Sequence, residues 1–120
     1  MLTTVTSEEF VEAKSATPNP VTTCPVERAI RVIGGKWKLL VLRSLLLNGP
    51  QRYNELLTSV SGISAKELTR NLRELSAEKL VELSGEAVPH YELTSQGQGL
   101  MPTFAALLTW GQTVLMDGDA

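Results

Sequence analysis

The chain has 120 residues, a formal net charge of −2, one cysteine and one histidine, and its length fits one domain. A lone cysteine excludes an intramolecular disulfide, and with one distant histidine it argues against a tetrahedral zinc site. Residues 1–20 show no basic-then-apolar leader, and apolar runs such as residues 39–42 are too short to span a bilayer. We therefore expect a cytoplasmic protein without a membrane partner.

Charge is distributed unevenly along the chain. Residues 28–79 contain ten Lys and Arg against four Glu, a net charge of +6, whereas residues 1–27 carry −3. Residues 80–120 contain no Lys or Arg and carry −5. Because a localised positive field attracts phosphate even when the average charge is negative, the distribution favours nucleic acid as the partner of the middle region.

The N-terminal part predicts an arm followed by a helix. Residues 1–23 are interpreted as a weakly ordered arm, in which a short helix at residues 7–14 is broken by the prolines after it. A helix is predicted from Pro25 to Ile33, because proline suits the first helical position and two glycines follow. Its expected inward residues are Val26, Ala29, Ile30 and Ile33.

Two further helices are predicted before the middle of the chain. The first covers residues 36–47 and is ended by Asn48-Gly49-Pro50. Its expected core stripe is Trp37, Leu40, Val41 and Leu45. The second covers residues 53–60 and should bury Leu56, Leu57 and Val60. Ser61-Gly62 then turns the chain into the next helix.

The helix predicted over residues 64–78 has two faces of different chemistry. Ser64 occupies the N-cap position and Glu67 follows three residues later, which is the pattern of a capping box. At about 100° per residue, the helix has an apolar stripe of Ala65, Leu68, Leu72 and Leu75. The opposite face carries Lys66, Arg70 and Arg73, flanked by Thr69 and Asn71. A recognition helix in a DNA major groove has this layout, and so do many solvated surface helices.

After Lys79 the pattern changes to that of a β-hairpin. Residues 80–83 and 90–93 resemble two short strands, with Gly85 to Pro89 between them. Thr94-Ser95 should cap a final helix that runs to about residue 116, and Pro102 should kink it or mark its true start. Its apolar residues recur at helical spacing: Leu100, Phe104, Leu107, Leu108, Gly111, Val114 and Leu115.

The order of these elements predicts the fold class. It is α+β, mainly α: a winged helix-turn-helix over residues 24–117, with the hairpin as the wing. Double-stranded operator DNA and a second copy of the chain are the expected partners. The alternative is a winged-helix module for protein interaction or dimerisation, with weak or no DNA binding.

Catalytic patterns do not stand out. A P-loop is excluded because Ile30 replaces its first glycine and Trp37 its hydroxyl residue. Pro102 occupies the place of the third glycine of a dinucleotide-binding loop that would begin at Gly97. No paired carboxylates or nucleophile–base pair can be recognised. We expect no enzymatic activity, no cofactor and no metal site.

Several short motifs follow one another in order between residues 24 and 115. They are Cys24-Pro25-Val26-Glu27-Arg28-Ala29, Ile33-Gly34-Gly35-Lys36-Trp37, Leu42-Arg43, Arg52-Tyr53-Asn54-Glu55-Leu56, Gly62-Ile63-Ser64, Leu68-Thr69, Leu72, Leu75, Leu80-Val81, Tyr91-x-Leu93-Thr94-x-x-Gly97, Leu100-x-Pro102 and Trp110-Gly111. This ordered set resembles the HxlR-type bacterial transcription regulators. The resemblance implies a DNA-binding homodimer paired through its terminal helices. It also implies a small-molecule or electrophile effector, because several relatives sense electrophiles or oxidants through the cysteine that Cys24 matches.

The candidate DNA-binding residues lie mainly on the helix over residues 64–78. We expect Lys66, Thr69, Arg70 and Arg73 to face the groove, although Arg73 suits a phosphate contact equally well. Arg52 and Lys36 are candidates for flanking phosphates or for solvated salt bridges. Ser64 is interpreted as a cap whose backbone end faces a phosphate.

Two features modify this interpretation. Cys24 is the redox-sensing candidate, because a helix N-terminus and Arg28 favour the thiolate. Glu27 opposes that effect, and a buried, inert cysteine fits the sequence equally well.

The wing departs from the family pattern, since it contains no Lys or Arg, and we expect it to contribute little to DNA affinity.

Overall fold

The computed structural model describes residues 23–118, so nearly all of the predicted arm, including its short helix, lies outside the described residues. The chain divides into two compact units, Met1–Gly34 and Gly35–Ala120. Within the described range, no helix combines the length and apolarity that crossing a membrane requires. The elements are α1 (Pro25–Ile33), α2 (Lys36–Asn48), α3 (Tyr53–Ser59), α4 (Ala65–Ala77), β1 (Val81–Ser84), β2 (His90–Leu93), α5 (Ser95–Gln98) and α6 (Met101–Gly118).

Helix α1 belongs to the first unit and has the predicted bounds, from Pro25 at its first position to Gly34 as its C-cap. The prediction of its inward face is wrong for the single chain, because no residue of α1 is buried. Val26, Ala29 and Ile30 are exposed and Ile33 is half-buried. The spacing of apolar residues shows which face of a helix is apolar, but not whether the same chain covers it.

Helix α2 is the central element of the second unit and packs against α3, α4 and β2. The apolar core of this unit consists of Val41, Leu42, Leu45, Leu56, Val60, Ile63, Leu68, Leu72, Leu75, Leu80 and Val81. Trp37 and Leu40, which were predicted for the core stripe, are only half-buried, as is Leu57 of α3. Leu42 and Ser44 are buried in addition, because neighbours on several sides cover a wider arc of α2 than one stripe.

Helices α3 and α4, with the turn between them, form a helix-turn-helix. Gly62 has a φ of 86°, a left-handed conformation that favours glycine, and this lets the chain turn sharply ahead of α4. Ala65 was expected in the apolar stripe of α4 and is exposed instead. The first buried residue of this helix is Leu68. Asn71 was expected on a flank and is buried. Its Nδ2 donates to the carbonyl oxygen of Glu67 at 2.7 Å, which satisfies part of the amide inside the protein.

Strands β1 and β2 form the predicted hairpin, paired antiparallel from Val81 opposite Leu93 to Ser84 opposite His90. The first strand begins one residue later than predicted. Gln51, which lies between α2 and α3, also pairs with Tyr91: the backbone N–H groups and carbonyl oxygens of the two residues exchange hydrogen bonds of 2.9 and 2.7 Å. The hairpin is thereby joined to the segment that leads into the helix-turn-helix.

The C-terminal segment forms two helices rather than one. Thr94 caps the short helix α5, and its Oγ1 accepts a hydrogen bond from the Gly97 backbone N–H at 3.1 Å. Helix α6 begins at Met101, so Pro102 lies at its start, which confirms one of the two predicted roles of this proline. The apolar residues of α6 are largely exposed in the single chain: Leu107, Leu108, Trp110, Val114, Leu115 and Met116.

Candidate nucleic-acid interface

Helix α4 begins with a complete capping box, as predicted. The Oγ atom of Ser64 accepts a hydrogen bond from the Glu67 backbone N–H at 3.1 Å. The Oε1 atom of Glu67 accepts hydrogen bonds from the backbone N–H and the hydroxyl of Ser64, at 3.2 and 3.0 Å. These hydrogen bonds lower the pKa of Glu67, and the bond from the Ser64 backbone has the largest effect. A hydrogen bond from the Trp37 side chain lowers this pKa by a smaller amount. The start of α4 is therefore defined by its own residues.

The outward face of α4 carries three cations and one hydroxyl. Lys66, Thr69, Arg70 and Arg73 are all exposed. Among residues 23–118, none of the three cations belongs to an ion pair. Because the buried leucines occupy the other side of the same helix, this basic face points away from the core. It is open to phosphate and base acceptors.

Contacts from α2 and α3 hold α4 in place behind this face. The Nζ atom of Lys38 lies 3.0 Å from Oε1 of Glu74, and the Lys38 side chain is only 17% exposed. A hydrogen bond and the positive charge of Lys38 lower the pKa of Glu74. On the opposite side, the phenol oxygen of Tyr53 lies 2.9 Å from the Ala65 carbonyl oxygen and 2.8 Å from Thr69 Oγ1. The roles of Lys38 and Tyr53 were not predicted, because contacts between helices leave no local pattern in the sequence.

A small polar network connects the helix-turn-helix to α2 and to the hairpin. The Nε2 atom of Gln51 donates to Ser44 Oγ at 2.9 Å, and Ser59 Oγ donates to Gln51 Oε1 at 3.0 Å. The Ser44 and Ser59 hydroxyls lie 2.7 Å apart, so the three side chains form a closed ring of donors and acceptors. Ser44 and Gln51 are buried, and breaking the ring would leave buried polar atoms without hydrogen bonds. No local sequence pattern indicates this network.

The two flanking candidates, Arg52 and Lys36, have partners within the chain. Arg52 Nε lies 3.5 Å from Glu55 Oε1 in an exposed ion pair at the start of α3. Lys36 Nζ lies 4.4 Å from the centroid of the Trp37 ring, which is within cation–π range. An exposed ion pair contributes little to stability. An exposed cation–π contact is similarly weak, roughly 0.5–1 kcal/mol, so neither contact would prevent Arg52 or Lys36 from binding phosphate.

The hairpin presents the opposite charge. Glu82 and Glu86 are exposed, and Glu92 accepts a hydrogen bond from Ser84 Oγ at 2.9 Å. Residues 81–93 include no Lys or Arg. Such a surface repels phosphate, so the outward face of α4 and the hairpin carry charges of opposite sign.

Cys24 is the N-cap residue of α1 and is only 2% exposed. Its position at a helix N-terminus is the predicted one. Its burial restricts access to the sulfur. The chain has no second cysteine, so any disulfide must be made with another molecule.

A helix-turn-helix followed by a two-stranded wing, with a basic face on its second helix, defines a winged helix-turn-helix DNA-binding protein. Residues 32–119 match the HxlR-like helix-turn-helix family. The chain belongs to this family, and it is a DNA-binding transcriptional regulator. Family membership favours this role over the alternative of an interaction module with weak or no DNA binding.

Relatives of similar length support this assignment. The chain is 41% identical over 93 residues to an uncharacterized HTH-type transcriptional regulator of Methanothermobacter thermautotrophicus, which covers 74% of this chain and 70% of that protein. It is 30% identical over 105 residues to the HTH-type transcriptional regulator YodB of Bacillus subtilis, which covers 82% of this chain and 91% of YodB.

Solved structures of related regulators share the fold. The putative HTH-type transcriptional regulator YtcD superposes with a TM-score of 0.68 at 34% identity, covering 78% of this chain and 98% of YtcD. The redox regulator HypR in its oxidized form gives a TM-score of 0.65 at 35% identity, covering 75% of this chain and 96% of HypR. Quinone-bound YodB from B. subtilis gives a TM-score of 0.66 at 32% identity, covering 75% of this chain and 99% of YodB.

Proposed function

We propose that this regulator binds operator DNA as a homodimer, with α4 of each protomer in a major groove. The observation that carries the proposal is the outward face of α4, where exposed cations stand on a helix whose other face is buried. Lys66, Thr69 and Arg70 lie in the first half of α4, the part of a recognition helix that reaches base edges. Arg70 suits bidentate pairing with guanine. Arg73 lies further along and is assigned to the groove face or its phosphate edge.

The remaining candidates are proposed to position the protein rather than to read bases. Arg52 and Lys36 supply cations beside the helix-turn-helix, where they can neutralise flanking phosphates. The hydroxyl of Ser64 is used by the capping box, so its contribution is the backbone end of α4, where N–H groups and the helix dipole attract phosphate. Phosphate contacts of this kind set the register of a protein on DNA but carry no sequence information.

A salt titration of DNA binding tests this role. The affinity for a duplex from the upstream region of the regulator's own gene is measured between low and physiological salt, beside a shuffled duplex of equal length. Binding through several phosphates gives a steep dependence on salt for both duplexes, and base reading by α4 adds a preference for the upstream sequence. Equal affinity for the two duplexes would contradict base reading at that site.

The homodimer is supported by apolar surface at both ends of the described chain. Leu108 and Trp110 of α6 are 63% and 66% exposed, and Val26 and Ile30 of α1 are exposed as well. Large exposed apolar patches mark association surfaces, and a two-fold dimer would present two recognition helices about 34 Å apart, one turn of DNA.

Sedimentation at micromolar concentration tests the dimer, with Leu108→Asp compared against Leu83→Asp. Leu83 on the hairpin is 59% exposed, which is close to the exposure of Leu108, so the pair separates the surface of α6 from exposed leucine in general. We expect only Leu108→Asp to yield monomers. A monomeric unmodified protein would contradict the proposal.

We also propose that an oxidant or electrophile acts on this regulator through Cys24. The fold is shared with a redox regulator in its oxidized form and with a quinone-bound regulator. Cys24 is the N-cap residue of α1, so modification of the sulfur acts where that helix starts. Because Cys24 is buried, reaction requires local opening of this end of α1, and the modified residue no longer fits its place.

The test uses the single cysteine of the chain. DNA binding of the unmodified protein and of Cys24→Ser is measured before and after a quinone or a thiol oxidant. We expect only the unmodified protein to respond, since the variant contains no thiol. Equal responses, or none from either protein, would show that Cys24 is structural.

A further inference from the structure

The phenol of Tyr53 connects the two helices of the helix-turn-helix at one point. Its oxygen lies 2.9 Å from the carbonyl oxygen of Ala65 and 2.8 Å from Oγ1 of Thr69. Ala65 and Thr69 are one turn apart on α4, and Thr69 is exposed on the face proposed to enter the groove. A side chain of α3 therefore contacts a candidate base-reading group directly.

The protons of this contact can be assigned from the chemistry of the three oxygens. A carbonyl oxygen only accepts hydrogen bonds, and a phenol has one proton to donate. The Tyr53 proton is therefore used on Ala65. The hydrogen bond between Tyr53 and Thr69 then requires a proton from Thr69, and the Thr69 hydroxyl donates to the phenol oxygen.

Three other threonines on the described helices use their hydroxyls differently. Thr58, Thr109 and Thr113 each donate to the carbonyl oxygen four residues earlier, at 3.1 Å in every case. Thr69 has the same relation to Ala65, yet Tyr53 occupies that carbonyl and receives the threonine proton instead. The orientation of the Thr69 hydroxyl is thus set by α3.

We infer that Tyr53 fixes Thr69 as a hydrogen-bond acceptor and that Thr69 thereby selects a base with an exocyclic amino group, adenine or cytosine, at one position of each half-site. In the major groove, adenine N6 and cytosine N4 are donors, whereas guanine O6 and N7 and thymine O4 are acceptors. A rotating threonine hydroxyl can pair with either kind. With its proton held by Tyr53, Thr69 offers lone pairs alone. This inference rests on the proposed role of α4, and Tyr53 is a positioning residue in it.

The experiment measures relative affinity for every single-base variant of the preferred operator. The proteins compared are the unmodified chain, Tyr53→Phe, Thr69→Val, Thr69→Ser and the double variant Tyr53→Phe/Thr69→Val. We expect one symmetry-related position where the unmodified protein prefers adenine or cytosine by about two- to tenfold, the range for one neutral hydrogen bond. Thr69→Val should abolish this preference, and Thr69→Ser should retain it.

Tyr53→Phe carries the decisive result. It keeps the ring and removes the oxygen that receives the Thr69 proton, so the preference at that position should shrink while preferences at other positions stay. In the Thr69→Val background, Tyr53→Phe should have no further effect there. Thermal melting of each variant checks the fold, and Thr69→Val, at an exposed site, tests the acceptor role even if Tyr53→Phe is unstable.

Three results would overturn the inference: a guanine or thymine preference at the Thr69 position, an unchanged profile for Tyr53→Phe, or an equal loss at all positions in that variant. Arg70→Ala distinguishes this failure from failure of the proposed function. If Arg70→Ala alters base preference while Tyr53→Phe does not, α4 reads DNA and only the acceptor assignment is wrong. If neither Arg70→Ala nor Thr69→Val alters any preference, α4 is not the reading helix and both proposals are wrong.

Discussion

Helix α4 and the β1–β2 hairpin are the two exposed elements that winged helix-turn-helix proteins bring to DNA, and in this chain they carry opposite charge. The outward face of α4 holds Lys66, Arg70 and Arg73, whereas the hairpin exposes Glu82 and Glu86. Both elements are well supported, α4 by α2 and α3 and the hairpin by its pairing with Gln51. The difference teaches that a shared fold fixes where an element lies but not whether it attracts DNA.

The opposite charges also assign different tasks to the two elements. A negative hairpin gains nothing from a phosphate backbone, so we propose that affinity comes from α4, from its flanking cations and from a second protomer. The hairpin instead contributes to the architecture, because Tyr91 of β2 pairs with the segment between α2 and α3. Four predictions test the roles of the two elements and the capping that places α4, from the largest expected effect to the smallest.

Arg70→Ala should weaken binding to the cognate duplex by about 1–3 kcal/mol, the range for a lost bidentate base contact. Arg70 is exposed and stands opposite the buried leucines, so the fold should be retained. Arg43→Ala is the matched control, because Arg43 is an exposed cation on α2 rather than on α4. Affinities measured by fluorescence anisotropy for cognate and shuffled duplexes decide the result. An equal loss in both variants would show that Arg70 contributes only the general attraction of a cation for DNA.

Ser64→Ala should destabilise the protein by about 1 kcal/mol, because it removes the side-chain cap of α4. Thermal or urea unfolding measures the change. Ser76→Ala, an exposed substitution inside the same helix, should have a much smaller effect. If the two variants are equally stable, the capping box does not determine where α4 begins.

Glu86→Gln should leave the salt dependence of DNA binding unchanged, because a glutamate neutralises no phosphate. Affinity should stay the same or rise slightly as a negative charge is removed. Glu86→Lys sharpens the test: if the hairpin lies near the backbone, the slope of log affinity against log salt becomes steeper by roughly 0.9 per new phosphate contact. Weaker binding by Glu86→Gln would show that the wing makes a favourable contact.

Glu67→Gln should make stability less sensitive to acid. Hydrogen bonds from Ser64 hold the pKa of Glu67 below its ordinary value of 4.5. The ionised carboxylate therefore adds stability that is present above pH 4.5 and is lost as the pH falls through the lowered pKa. Glutamine keeps an acceptor for the capping box but does not titrate. The stability difference between the unmodified protein and Glu67→Gln should shrink below pH 4.5, and a constant difference would argue against this linkage.

Local sequence patterns were sufficient to predict most of the fold. Proline and glycine at its ends placed α1 between Pro25 and Ile33, and the Ser64–Glu67 spacing placed the start of α4. These signals act within one turn of backbone, so they can be recognised without knowing which distant segments pack against the helix. The opposed faces of α4 were predictable for the same reason, apart from Ala65 and Asn71.

The tertiary structure alone decided which residues meet across helices. Nothing near Tyr53 in the sequence indicates that its phenol reaches Thr69, and nothing near Ser44 indicates a ring with Gln51 and Ser59. It also showed that the apolar faces of α1 and α6 remain exposed in one chain. Periodicity records the chemistry of a face, whereas burial and hydrogen-bond partners depend on which distant segments the folded backbone brings within a few ångströms.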